Sequence, residues 1–166
     1  MFTLIIGASA SGKSEYAEKW VSTQDGSRIY LATMEPYGEE AQERIKKHKA
    51  QRLNRGFETI ERYTGLGQLV LPAKSNILLE DLGNLTANEL FSEDGGGAEA
   101  VLDGVLFLSE HCRHLTVVTN EVFSGGMTYQ GETLAYLRAL AMINRILARK
   151  ADRVVEVACG LPLFLK

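Results

Sequence analysis

The sequence predicts an α/β fold with a mostly parallel sheet flanked by helices. Short apolar, β-rich runs alternate with longer helical patterns, and a glycine-rich loop separates the first such run from the first helical one. Parallel strands must be joined by crossovers, so this alternation favours a parallel sheet over a meander. With 166 residues, 45% of them hydrophobic, the chain has the length of one domain, taken as residues 1–166, able to bury about 70% of its extended surface.

Phe2 to Ile6 is an apolar run that stops at Gly7, and Ser14 to Thr23 follows as a helix with Tyr16, Ala17 and Trp20 on one face. Arg28 to Thr33 is the second strand. After the break at Pro36-Tyr37-Gly38, Glu39 to Arg55 has helical composition but few apolar positions, so most of it must face solvent or a ligand. Further strands are expected at Asn76–Glu80, Leu115–Thr119 and Arg153–Val157, with helices at Ala98–Glu110 and Glu132–Lys150. Ser92 to Gly97 offers charge and glycine without packing surface, and is expected to be a loose surface loop. No repeat or proline-rich linker divides the chain.

Charge and composition exclude several classes. A net charge of −3 opposes a strongly basic nucleic-acid binder, so no nucleic-acid partner is expected. No apolar run approaches the roughly 18 residues needed to span a bilayer. Met1 to Gly12 lacks the basic start and apolar stretch of a secretory signal, and Cys112 and Cys159 stand outside any paired motif. A reducing cytoplasm fits, with both cysteines as small core residues.

Gly7-Ala8-Ser9-Ala10-Ser11-Gly12-Lys13-Ser14 has two glycines spaced to precede Lys-Ser, directly after a strand and opening a helix. In such a loop the glycines let the backbone curl so that successive N–H groups point at phosphate oxygens, and the helix start adds the positive end of its dipole. Lys13 then holds the β- and γ-phosphates of a nucleoside triphosphate, and the Ser14 hydroxyl ligates Mg²⁺. The metal also calls for an acid at a neighbouring strand end. Ile77-Leu78-Leu79-Glu80-Asp81 supplies two, and the sequence leaves open which of Glu80 and Asp81 points inward.

Phosphate binding alone leaves kinases, nucleotidyltransferases, switches and motor ATPases open. A guanine-specific switch would carry Asn/Thr-Lys-x-Asp after a strand, whereas this chain has Thr119-Asn120-Glu121-Val122. In the charged helix, Arg44, Lys46, Lys47, Lys49, Arg52 and Arg55 surround His48, whose imidazole is either solvated or a nucleophile or acid/base toward phosphorus. His111 and His114 lack any motif and are expected to be solvated.

Several segments together carry a resemblance that spans essentially the whole chain. They are residues 7–14, Tyr30-Leu31-Ala32-Thr33, Arg44-Ile45-Lys46-Lys47-His48-Lys49, Phe57-Glu58-Thr59-Ile60-Glu61, Leu78-Leu79-Glu80, Val118-Thr119-Asn120-Glu121-Val122, Asn144 and Ala158-Cys159-Gly160-Leu161-Pro162-Leu163. This ordered set resembles the bifunctional adenosylcobinamide kinase/adenosylcobinamide-phosphate guanylyltransferase family of cobalamin biosynthesis. The resemblance implies a phosphate-loop, RecA-like fold assembled as a homotrimer, acting on a corrinoid with ATP or GTP. It also implies two reactions: phosphorylation of adenosylcobinamide, then transfer of GMP from GTP through a covalent histidine adduct that maps onto His48. Nucleotide contacts carried over by the resemblance fall on residues 7–14, on Ala32, Thr33 and Met34, on Lys49, Ala50, Gln51 and Arg52, on Glu61 and on Glu80. The chain departs from the family where Arg52-Leu53-Asn54-Arg55-Gly56-Phe57 replaces an Arg-Pro-x-x-Trp pattern, and where Ser124-Gly125-Gly126-Met127-Thr128 replaces Gly-Ile-Val-Pro. Read from the residues alone, a kinase of another small metabolite and a non-catalytic GTP-sensing subunit remain open.

Overall fold

The computed structural model describes residues 1–39, 42–43, 45–46, 55–72, 74–123, 125 and 128–166. The strands are β1 (Phe2–Gly7), β2 (Arg28–Ala32), β3 (Phe57–Glu61), β4 (Asn76–Glu80), β5 (His114–Asn120), β6 (Arg153–Ala158) and β7 (Leu161–Phe164). The helices are α1 (Lys13–Ser22), α2 (Leu82–Phe91), α3 (Gly97–His111) and α4 (Gly131–Lys150), with a 3-10 turn at Leu66–Gln68. The strands form one sheet in the order β3-β2-β4-β5-β1-β6-β7. All pairings are parallel except that of β6 with β7. The mostly parallel α/β architecture expected from the sequence is the one observed.

Period-two side-chain alternation divides the core between the two faces of the sheet. Ile29, Leu31, Ile77, Leu79, Leu115 and Val117 pack on one face against Leu82 and Leu85 of α2, Val101, Val105 and Leu108 of α3, and Leu140, Ile143 and Leu147 of α4. Tyr30, Leu78, Val118, Val155 and Val157 face the other side, where Ala17 and Val21 of α1 cover them. Each of the buried Leu, Ile and Val side chains contributes about 1.5–3 kcal/mol relative to exposure.

Three elements were not anticipated. The α2 sequence contains Gly83, Asn84, Thr86 and Asn88, all poor helix formers. The helix forms nonetheless because the Asp81 carboxylate caps it, accepting the Asn84 N–H at 2.7 Å, and because Leu82 and Leu85 are fully buried. Strand β3 lies at the sheet edge and is mostly exposed, so it carries no continuous apolar run. Strand β7 contains Pro162, which is tolerated because β7 is the opposite edge.

Other expectations are corrected. Cys159 is exposed rather than a core residue: with Gly160 it forms the two-residue β6–β7 turn, φ +51° and +77°, the positive-φ pair that a tight hairpin requires. Cys112 is half-buried, and burial pushes its thiol up to about 11. The charged helix does not extend to Arg55. Gly38, Glu39, Gln42, Glu43, Ile45 and Lys46 are helical, but Arg55 and Gly56 form a turn. His114 is half-buried at the start of β5, while His111 is exposed and stacks on Phe107 at 4.1 Å.

The segment 92–97 is a surface loop but not a loose one. Glu89, 2% exposed, accepts the Gly96 N–H at 2.8 Å through one carboxylate oxygen and the Gly65 N–H at 2.7 Å through the other. One buried carboxylate thus joins the loop after β3 to the loop before α3. Glu89→Ala is expected to strand both amides and destabilise the protein by about 3 kcal/mol, read as a lowered urea midpoint with an unchanged slope.

Candidate active site

A parallel sheet sends the C-terminal end of every parallel strand to one edge, where open α/β sheets bind ligands. The observed register sets Gly7 beside Asn120, and sets Ala32 between Glu61 and Glu80. Residues expected at the nucleotide from four separate stretches of sequence therefore lie along one edge. His48, Lys49, Ala50, Gln51 and Arg52 lie outside the described residues.

The phosphate loop leaves β1 at Gly7 and enters α1 at Lys13. Ala10 and Gly12 take positive φ values of 56° and 91°, which folds the loop back on itself. A side chain at Gly7 would meet Ser11 Oγ at 2.5 Å and the Val157 carbonyl at 2.6 Å, so the first glycine is required by close packing. Gly12 is the N-cap of α1 and provides no side-chain cap, which leaves the first-turn amides of the helix for an anion. Lys13 is 8% exposed and its ammonium donates to the Ala8 carbonyl at 3.1 Å, inside the loop. Ala8, Ser9 and Ala10 are exposed at the rim, and Ser14 is half-buried in the first turn of α1. The β6–β7 turn braces the loop, because the Gly160 N–H donates to the Ser11 carbonyl at 2.8 Å.

Helix α1, which begins at Lys13, packs against β4, which ends at Glu80. The Ser14 hydroxyl and the half-buried Glu80 carboxylate are hard oxygen donors of the kind Mg²⁺ prefers, so the residues present suit that ion. Asp81 is otherwise engaged. One of its oxygens caps α2, and the Asn120 amide donates to the other at 3.4 Å. Asn144, 7% exposed, accepts the Thr119 hydroxyl at 2.8 Å and donates to the Asn120 carbonyl at 3.4 Å, which holds Asn120 from behind. Burial, and then the Asp81 charge, push the Tyr136 phenol up to about 12, so it stays protonated and able to donate.

At the β2–β3 side, Thr33 is fully buried: its N–H donates to the Glu80 carbonyl at 3.2 Å and its hydroxyl to the Asp81 carbonyl at 2.8 Å. Ala32 and Met34 on either side of it are half-buried, and Glu61 is exposed with Tyr63 donating to its carboxylate at 3.2 Å. Glu61 also lines a cleft of about 450 Å³ together with Arg62, Tyr63, Gln68 and Asp94. Residue-level reading of the sequence missed Asn88 and Tyr136, which sit in helical segments with no motif. Their only sequence signal is a polar group on an otherwise packed helix face.

Among the described residues, no group of three or more His, Cys, Asp or Glu could hold a metal by protein ligands alone, and no helix is long and apolar enough to cross a membrane. The family model described as cobinamide kinase / cobinamide phosphate guanyltransferase matches residues 3–165. The chain is 27% identical over 173 aligned residues to a protein of Pseudomonas aeruginosa named bifunctional adenosylcobalamin biosynthesis protein CobP, covering 100% of this chain and 98% of that protein. With a phosphate loop formed at the carboxyl edge of a mostly parallel sheet and a family match over nearly its whole length, the chain is an enzyme belonging to the cobinamide kinase / cobinamide phosphate guanyltransferase family.

Proposed function

We propose that the enzyme uses one nucleotide site for two successive transfers in cobalamin biosynthesis. In the first, a hydroxyl of adenosylcobinamide attacks the γ-phosphorus of ATP or GTP. The new O–P bond forms as the bond to the nucleoside diphosphate breaks, and the hydroxyl proton is lost. In the second, an imidazole nitrogen of His48 attacks the α-phosphorus of GTP and pyrophosphate leaves. A phosphate oxygen of adenosylcobinamide phosphate then displaces the imidazole, giving adenosylcobinamide-GDP and free His48. Mg²⁺ would be held by Ser14 and Glu80 and would neutralise phosphate charge.

The observation that carries this reading is the phosphate loop itself, with Lys13 already drawn inside it and the amides of α1 uncapped. The match of Arg44-Ile45-x-x-His48-Lys49 to the family pattern supports His48 as the carrier. We also infer a cytoplasmic homotrimer. The exposure of Leu161 (73%), Leu163 (57%), Phe164 (58%) and Leu165 (57%) along β7 and the C-terminus supports self-association, since so contiguous an apolar strip favours burial against protein.

Three outcomes are expected. Lys13→Ala removes a charge-assisted phosphate contact of roughly 1.5–3 kcal/mol and weakens GTP binding at least about tenfold by calorimetry, with an unchanged circular dichroism spectrum. Glu80→Gln impairs GTP turnover more than Asp81→Asn, because Asn caps a helix as well as Asp does whereas the amide lacks the metal-binding charge; the reverse ranking in matched kinetics would assign the metal to Asp81. Finally, GTP labelled at the α-phosphorus leaves its label on the protein, in an acid-labile, base-stable linkage typical of a phosphoramidate, while a γ-label departs with pyrophosphate. His48→Asn abolishes the labelling and still binds GTP through residues 7–14. An α-label retained in that variant, or an acid-stable adduct, would remove His48 from the pathway.

A further inference from the structure

We propose that Asn88 is a positioning residue for the nucleoside end of the nucleotide site, its single side-chain amide tying the segment after β2 to the segment after β3. This rests on the reading of Ala32, Met34 and Glu61 as nucleotide contacts. The amide nitrogen of Asn88 has two hydrogens. It donates to the Thr33 carbonyl at 2.8 Å and to the Tyr63 carbonyl at 3.1 Å. The two acceptors lie just past the last bond between the strands, in which the Arg62 N–H donates to the Ala32 carbonyl at 3.0 Å. Beyond that bond the Asn88 bridge takes over from the ladder.

The consequences differ on the two sides. Thr33 is fully buried, and its N–H, hydroxyl and carbonyl are bonded to the Glu80 carbonyl, the Asp81 carbonyl and Asn88 respectively. Its hydroxyl is committed to the Asp81 carbonyl, and through these bonds it fixes the placement of Ala32 and Met34. On the other side, the Tyr63 phenol donates to the Glu61 carboxylate at 3.2 Å, so holding the Tyr63 backbone also orients Glu61. Asn88 stands in the second turn of α2, the helix that starts directly after Glu80 and Asp81. The segments after β2 and β3 lie three and four strands from β1 in the sheet order, about 14 and 19 Å at ordinary strand spacing, and so are separate from the phosphate loop.

That separation distinguishes positioning from general support of the fold. Asn88→Ala and Asn88→Ser are titrated with GTP and with inorganic tripolyphosphate, each with Mg²⁺. GTP affinity is expected to fall about tenfold or more in Asn88→Ala and by less in Asn88→Ser, which keeps one donor, while tripolyphosphate affinity stays within about twofold of wild type. In turnover the loss is expected in KM for GTP, with kcat within about threefold. Unchanged GTP affinity, or equal losses for both ligands, would overturn the proposal; if the Ala variant does not fold, the Ser variant decides by the same two titrations. Lys13→Ala runs alongside. If it binds both ligands like wild type, the phosphate-loop reading has failed and takes the Asn88 proposal with it. A loss in Lys13→Ala together with wild-type GTP binding in the Asn88 variants refutes the role of Asn88 alone.

Discussion

Everything at the site depends on the parallel hydrogen-bond register of β3, β2, β4, β5, β1 and β6. Because each pairing is parallel, each of these strands ends at the same edge, and the chain must cross back before it can add another. Those crossings place the helices on both faces and leave the carboxyl edge open. Gly7, Ala32, Glu61, Glu80 and Asn120, dispersed over more than a hundred residues of sequence, then become neighbours along one line. A slip of one residue between β2 and β4 would put Ala32 opposite Leu79 instead of Glu80 and would also turn Leu31 out of the core. Core packing and site geometry are therefore enforced by the same register.

The phosphate loop shows how strained backbone is held in place. A non-glycine residue in the left-handed region costs about 1–2 kcal/mol, and Ala10 occupies it at φ +56°. The bond from the Gly160 N–H to the Ser11 carbonyl and that from the Glu121 N–H to the Gly7 carbonyl fasten the loop at two points. The glycines at 12 and 160 are coupled: a side chain on Gly12 would stand 3.0 Å from the Gly160 Cα. Thus the C-terminal hairpin, although its strand β7 is exposed, supports the loop formed at the start of the chain.

Strands with central positions and helices with regular apolar spacing were legible in the sequence because burial on both faces writes a continuous signal. Ile77-Leu78-Leu79 and Leu115 to Val118 are of that kind. So was the phosphate loop, whose chemistry resides in a local pattern. What was not legible depends on tertiary partners. Helix α2 opposes its own propensities and exists through the Asp81 cap and the core beneath Leu85, while β3 and β7 are edges with one neighbour each. Which of the adjacent acids Glu80 and Asp81 caps the following helix was undecidable from the sequence. Only the fold spends Asp81 on the cap and on Asn120.

The same helix links the parts of the site. Its first residues follow the acid proposed to hold the metal, its cap takes Asp81 out of competition for that metal, and about two turns along it carries Asn88 and Glu89, which bind the backbone beyond β2 and β3. Under the proposed pair of transfers, a nucleotide attacked at its γ-phosphorus in one reaction and at its α-phosphorus in the next must be held at both ends, so that either phosphorus meets an acceptor in line without the chain of phosphates shifting. The loop of residues 7–14 suits one end by backbone amides and Lys13. On the proposed reading the bridged segments hold the other, and α2 is the rigid element common to Glu80 and to those segments. A helix weak in intrinsic propensity but anchored by a cap, a buried face and two side-chain clamps is stable only in that position, which makes its placement as specific as the register of the sheet it covers.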